Sequence, residues 1–186
     1  MTNSKIESDI GYVKDLVAKS DNSASPASIY ILWALILIAG FSLIDFAPRW
    51  VGLFWMIAGP AGGLLSGFLG CKAGASKGQM DREMGIKHAL HWSGMMVVIF
   101  LIVLLGLRGL VHGVVISQVI LLVVALGWWT AGVHFDRIFL WLAGIMVLGF
   151  LGTLFMDRYA WTIMGVLLGT VLIVTAIRQG KKHVRR

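Results

Sequence analysis

Met84, His88, His91 and Met95 follow a 4-3-4 spacing, which on one helix lines two thioethers and two imidazoles along a single face. Soft thioethers and borderline imidazoles are donors that suit copper(I), and His and Met also serve as haem axial ligands. Asp81, seven residues before His88, is placed to orient that ring from behind. The same histidines have a second use, because an imidazole changes charge near neutral pH. On a helix entering a membrane, His88 and His91 beside Trp92 would then form a proton-sensitive gate. His134 and Asp136, on the same side of the membrane by the charge count below, could complete either a gate or a ligand set. His112 lies on the opposite side and cannot join them. The plainer reading is an interfacial stripe of packed His and Met, with Glu83 and Lys87 as an ordinary solvated i,i+4 pair.

Other chemistry is missing. No Asp, Glu, Lys or Arg falls in the central part of any apolar stretch, and ion-coupled transporters use such charges as relays. Ser117 and Gln118 are the most polar mid-stretch pair, and a glutamine there more often bonds a neighbouring helix. There is no Cys-x-x-Cys and no His-Glu-x-x-His. A rhomboid-type protease needs Gly-x-Ser-Gly with a deep histidine. Here Ser66-Gly67 is preceded by Leu64 two positions before the serine, and no histidine is deep. A cytochrome b561-type haem protein needs paired histidines within facing helices, whereas these lie at helix ends. The pattern points away from an enzyme.

What must position these residues is a set of six apolar stretches, roughly 26–46, 50–70, 92–107, 111–130, 138–155 and 160–177. Each approaches the ~20 residues that cross a ~30 Å hydrocarbon core. A hydrophobic content of 58% and a mean hydropathy of +0.85 exceed what a water-exposed domain of this size can enclose. Thirteen of the sixteen Lys and Arg flank one set of ends, and only Arg49, Arg108 and Arg158 flank the other. The basic side is cytoplasmic by the positive-inside rule. An even number of spans with both termini inside agrees with that count. The net charge of +7 is therefore topological and no mark of nucleic-acid binding, which needs a broad basic face on a folded domain. The single cysteine, Cys71, excludes an internal disulfide and falls on the cytoplasmic side. Short loops and no cleavable leader fit a bacterial inner membrane.

Residues 1–25 read as a cytoplasmic amphipathic helix and a polar linker. Ser4 and Glu7 form a capping box, and Ile6, Ile10, Val13 and Val17 form one apolar stripe. Ser25 and Pro26 read as N-cap and first residue of span one. Residues 26–177 form the six-span domain and 178–186 a basic tail able to rest on anionic lipid. Trp50, Trp161, Trp92, Trp128 and Trp129 mark the water–lipid boundaries. Asp45, Arg49, Arg108, Asp157 and Arg158 occupy hydrated outer turns. Asp136-Arg137 with Trp141 and Asp157-Arg158 with Trp161 are two similar hairpin starts.

Span two stands apart. Gly59, Gly63 and Gly67 recur every fourth residue beside Gly62, Ser66 and Gly70, a glycine zipper that lets another helix approach at backbone distance. Pro60 removes one N–H, so the helix is either broken around a channel-like path or kinked within a packed bundle or dimer seam. On this packing, bulk at Gly63 or Gly67 is expected to be costly and bulk at Gly40 milder.

The sequence thus specifies an all-α integral membrane protein, a six-transmembrane-helix bundle with N-in/C-in topology. Its expected role is non-catalytic: a passive permeation path, or an accessory or sensory subunit with a cytoplasmic working surface. The alternative is a haem- or copper-binding redox protein built on Met84, His88, His91 and Met95. Its partners would be the lipid bilayer and either a second copy or another membrane protein.

Overall fold

The computed structural model describes residues 10–12, 26–76, 82–111, 113–156 and 158–184. From residue 26 onward the described residues form six helices in succession: α1 (Ala27–Phe46), α2 (Pro48–Ser76), α3 (Arg82–Leu107), α4 (Val114–His134), α5 (Ile138–Phe155) and α6 (Ala160–Val184). All six contain a stretch long and apolar enough to cross a membrane, and no strand occurs among the described residues. Six such helices suggest an integral membrane protein.

Helix bounds follow local chemistry as much as hydropathy. α5 keeps its expected limits, but α3 begins at Arg82, ten positions before Trp92. The apolar signal starts late there, while Glu, Met, Lys, Ala and Leu are strong helix formers. The Glu83–Lys87 pair closes at 2.7 Å. Pro26 is the N-cap itself, with ψ at 142°, so α1 starts one residue later than expected. The proline-first arrangement is realised instead at Pro48, which opens α2 directly after Ala47. α2 then runs as one helix through Pro60, which leaves the packed-helix alternative over the broken one.

Packing is sequential in space, in the order α2, α1, α6, α5, α4, α3. Every neighbouring pair joins an odd helix to an even one and is therefore antiparallel. α2 and α3, the two ends of this row, approach each other through the Met96 methyl, 3.9 Å from where a Cβ on Gly59 would sit. The core lies in α1, α4, α5 and α6, with Leu142, Met146, Met164 and Leu168 fully enclosed. Among the described residues no polar or charged side chain is buried.

Within the chain, two sets of residues have neighbours that spacing alone does not indicate. Gly63 and Gly67 have nothing near a would-be Cβ, whereas at Gly40 the indole of Trp55 fills that place. Within the chain, α2 meets α1 through the neighbouring ridge instead. Gly62 lies against Ile36 and Trp33, and Trp33 Nε1 donates to Ser66 Oγ at 2.9 Å. Trp161 and Trp128 turn inward and are only 5% and 6% exposed, so they are core residues. Trp50, Trp129 and Trp141 do face outward.

At both mouths of the bundle a carboxylate acts across helices. Asp45, expected as a hydrated outer charge, is half-buried, and its Oδ2 accepts from Thr162 N at 2.7 Å and from Thr162 Oγ1 at 2.6 Å. Thr162 is the third residue of α6, so α1 supplies an N-cap that α6 lacks locally, since its preceding residue is Tyr159 at φ 63°. At the basic end, Asp136 Oδ1 accepts from Ile138 N at 3.0 Å and Oδ2 from Tyr30 Oη at 3.1 Å.

Of the helix expected near the N-terminus, only Ile10, Gly11 and Tyr12 are described, and these three are helical. Ser4, Glu7, Val13 and Val17 lie outside the described residues, as do Asp81, His112 and Asp157.

Candidate functional site

The polar and aromatic residues singled out in the sequence converge where α3 meets the α4–α5 joint, at the end of the bundle that carries Lys72, Lys87, Arg137 and Arg178. Because α3 is continuous from Arg82, His88 and His91 share one face, as i and i+3 positions must. Both imidazoles rest on one ring. His88 is stacked on Phe135 at 3.8 Å between centroids and 22° between planes, and His91 meets the same ring edge-on at 5.5 Å. Phe135 can receive them because α4 ends at His134, and the Phe135 N–H bonds back to the Ala131 carbonyl at 2.7 Å.

His91 also has a polar partner. Its Nε2 lies 3.0 Å from the Gly127 carbonyl oxygen, which can only accept, so Nε2 carries the proton and donates. Thr130 Oγ1 donates to the same oxygen at 2.9 Å. One turn further along α3, Met95 seats its sulfur in the notch left by the missing side chain of Gly127. Trp92 packs edge-on to His91 at 5.0 Å and to Phe139 at 5.9 Å. Phe139 in turn touches the buried Trp128 at 6.3 Å. A chain of rings thus runs from the half-exposed histidines into the core.

The bonds of His134 and Asp136 go elsewhere. His134 Nδ1 donates to its own helix, to the Thr130 carbonyl at 2.8 Å, and its ring is exposed. Asp136 is engaged with Tyr30 and the start of α5. Met84 is 41% exposed at the first turns of α3, while Met95 is directed at α4. Among the described residues no three His, Cys, Asp or Glu side chains gather as a metal site. Since Nε2 of His91 is already donating, only Nδ1 of that ring remains for a ligand role.

Sequence reasoning missed Gly127, Phe135 and Phe139. Phe135 stands between His134 and Asp136, the two residues chosen for their charge, and a ring between polar neighbours at a helix end was the signal available. A lone glycine in α4 gave no signal comparable with the repeated glycines of α2. No known protein family, curated protein or solved structure matches this chain.

Proposed function

We propose that this chain is a non-catalytic accessory or sensory subunit of a bacterial inner membrane, with both termini in the cytoplasm and its working surface at the histidine joint. The observation that carries this reading is the division of chemistry. Apart from Tyr30, whose hydroxyl is taken up by Asp136, and the indoles of Trp128 and Trp161, every enclosed side chain among the described residues is wholly apolar, while the imidazoles of His88, His91 and His134 gather at one mouth of the bundle. Such a core offers a hydrophilic solute few polar groups to replace its hydration. His88, His91 and Trp92 would be the gate, with His134 and Asp136 on its rim. Gly59, Pro60, Gly63 and Gly67 would be the helix face offered to a second copy or a partner span, since Gly63 and Gly67 are open within the chain.

Flux of small ions and uncharged solutes through proteoliposomes is the test. Rates equal to those of empty vesicles are expected. Flux above that level, lost on Gly63→Leu, would overturn the reading in favour of a permeation path. The redox alternative is separated by an absorption spectrum with elemental analysis. A Soret band or stoichiometric copper, lost on His88→Ala, would replace the sensory role with the haem or copper one. Reporter fusions at the tail and within residues 72–87 should report cytoplasm, following the basic-residue count.

A further inference from the structure

We propose that α3 is the moving element of this molecule, a span hinged to α4 at the outer turn and latched to it at the histidine joint. Its attachment is slight. Each of α1, α4, α5 and α6 packs against two helices, whereas the two end helices have one close neighbour each, α2 against α1 and α3 against α4, and the α3–α4 contact is the smaller. None of the apolar stretch of α3 is enclosed, compared with 44% of that of α6. Between its two ends, Ile99, Ile102 and Val103 are half-buried, while Val97, Val98, Phe100, Leu101, Leu104 and Leu105 are exposed.

The latch is compact and renewable. It consists of the His91–Gly127 hydrogen bond, the Met95 sulfur in the Gly127 notch, the His88 stack on Phe135 and the edge contact of Trp92 with Phe139. A thioether and stacked rings can separate and re-form without leaving a buried charge. At the far end the connection to α4 contains two left-handed glycines, Gly109 at φ 71° and Gly113 at φ 53°. Such positions absorb large changes in backbone direction at little steric cost. Gly106 lies against Ile116 and holds the two helices together at this pivot. On the other flank, α2 meets α3 through the Met96 methyl at Gly59, a contact with no Cβ to obstruct a sliding helix. Unlatching would therefore widen the α2–α3 seam from the basic end and leave the rest of the row intact. The motion stands on packing alone. Only its purpose rests on the gate reading.

Electron–electron distance measurements in lipid nanodiscs test this, in a Cys71→Ser background. Spin labels at Leu90→Cys and Val133→Cys, both exposed, report the latch end of α3 against α4. Labels at Leu105→Cys and Val115→Cys report the hinge end, and labels at Ile31→Cys and Ile177→Cys report α1 against α6. The latch pair is expected to show two distances, and the other pairs one narrow distance each. His91→Ala and Gly127→Val should move the latch pair to the longer distance, while His91→Gln, which keeps a donor, should retain the shorter one. A single narrow latch distance without these substitutions, as sharp as that of the α1–α6 pair, overturns the inference whether or not the variants fold. Two distances whose populations ignore pH would support the motion and end the gate reading.

Discussion

The α1–α6 contact and the α2–α3 rim are built on opposite uses of glycine. In α6, Gly165 lets the chain come so close to α1 that an added Cβ would meet Phe41 Cβ at 2.8 Å and the Leu37 carbonyl at 3.1 Å. In α2, the more conspicuous glycine series leaves Gly63 and Gly67 with no neighbour at all. The first region has carboxylate caps, ring stacks and backbone approach acting together, including Phe41 stacked on Trp161 at 6.0 Å. The second offers a smooth surface and few bonds. A glycine repeat therefore marks where a helix can be approached, while only the fold decides whether anything approaches it.

The comparison breaks most readily at the glycines. Gly165→Leu should cost about 3 kcal/mol or more, because the new side chain meets a backbone carbonyl that cannot retreat. Loss of the monodisperse peak in detergent chromatography would show it. Gly63→Leu should leave that peak unchanged. An equal loss at both sites would mean that a second copy already covers this face of α2 in detergent, so that the contrast between the regions holds within one chain only.

The caps come next. Asp45→Ala strands the Thr162 N–H and hydroxyl and removes a negative charge from the start of α6, which should cost about 2 kcal/mol. Thermal unfolding should show a clear drop for Asp45→Ala and a smaller one for Thr162→Val, which keeps the backbone bond. If the two variants match, the carboxylate is not acting as a cap.

The link between the regions is weaker. A double-mutant cycle on Trp33→Phe and Ser66→Ala should return about 0.6 kcal/mol, the average for interhelical hydrogen bonds in membranes. A coupling near zero would detach α2 from α1 even further than its packing indicates. Smallest of all, Glu83→Gln should cost about 0.3–0.5 kcal/mol through its exposed pair with Lys87, and salt should erase that difference.

Depth was legible in the sequence, and facing was not. The α5 limits at Ile138 and Phe155 follow directly from hydropathy, because its ends coincide with the polar turns. Trp161 and Trp128 lie at the helix ends expected of them, but an indole gives no sign of whether it turns to lipid or to core. Asp45 and Thr162 are 117 residues apart, so no local pattern could pair them. The shared face of His88 and His91 was legible from their spacing, as was the presence of a polar partner for one of them. That partner, the Gly127 carbonyl, was invisible because every residue carries a carbonyl. The choice of His134 and Asp136 followed charge, whereas the ring between them receives both histidines.

The pairing of α1 with α6 has a consequence for biogenesis. Of the six helices α1 is made before the others, yet its principal neighbour and the threonine that takes up Asp45 are made only after four further helices. Until then α1 rests with α2 alone, and the ribosome delivers a chain whose most extensive interface cannot yet exist. Late closure of this kind is slow and leaves intermediates exposed to mispairing. A chain truncated before α6 should reach the membrane and be degraded there, whereas α6 supplied as a separate polypeptide should restore the accumulation of the first five helices.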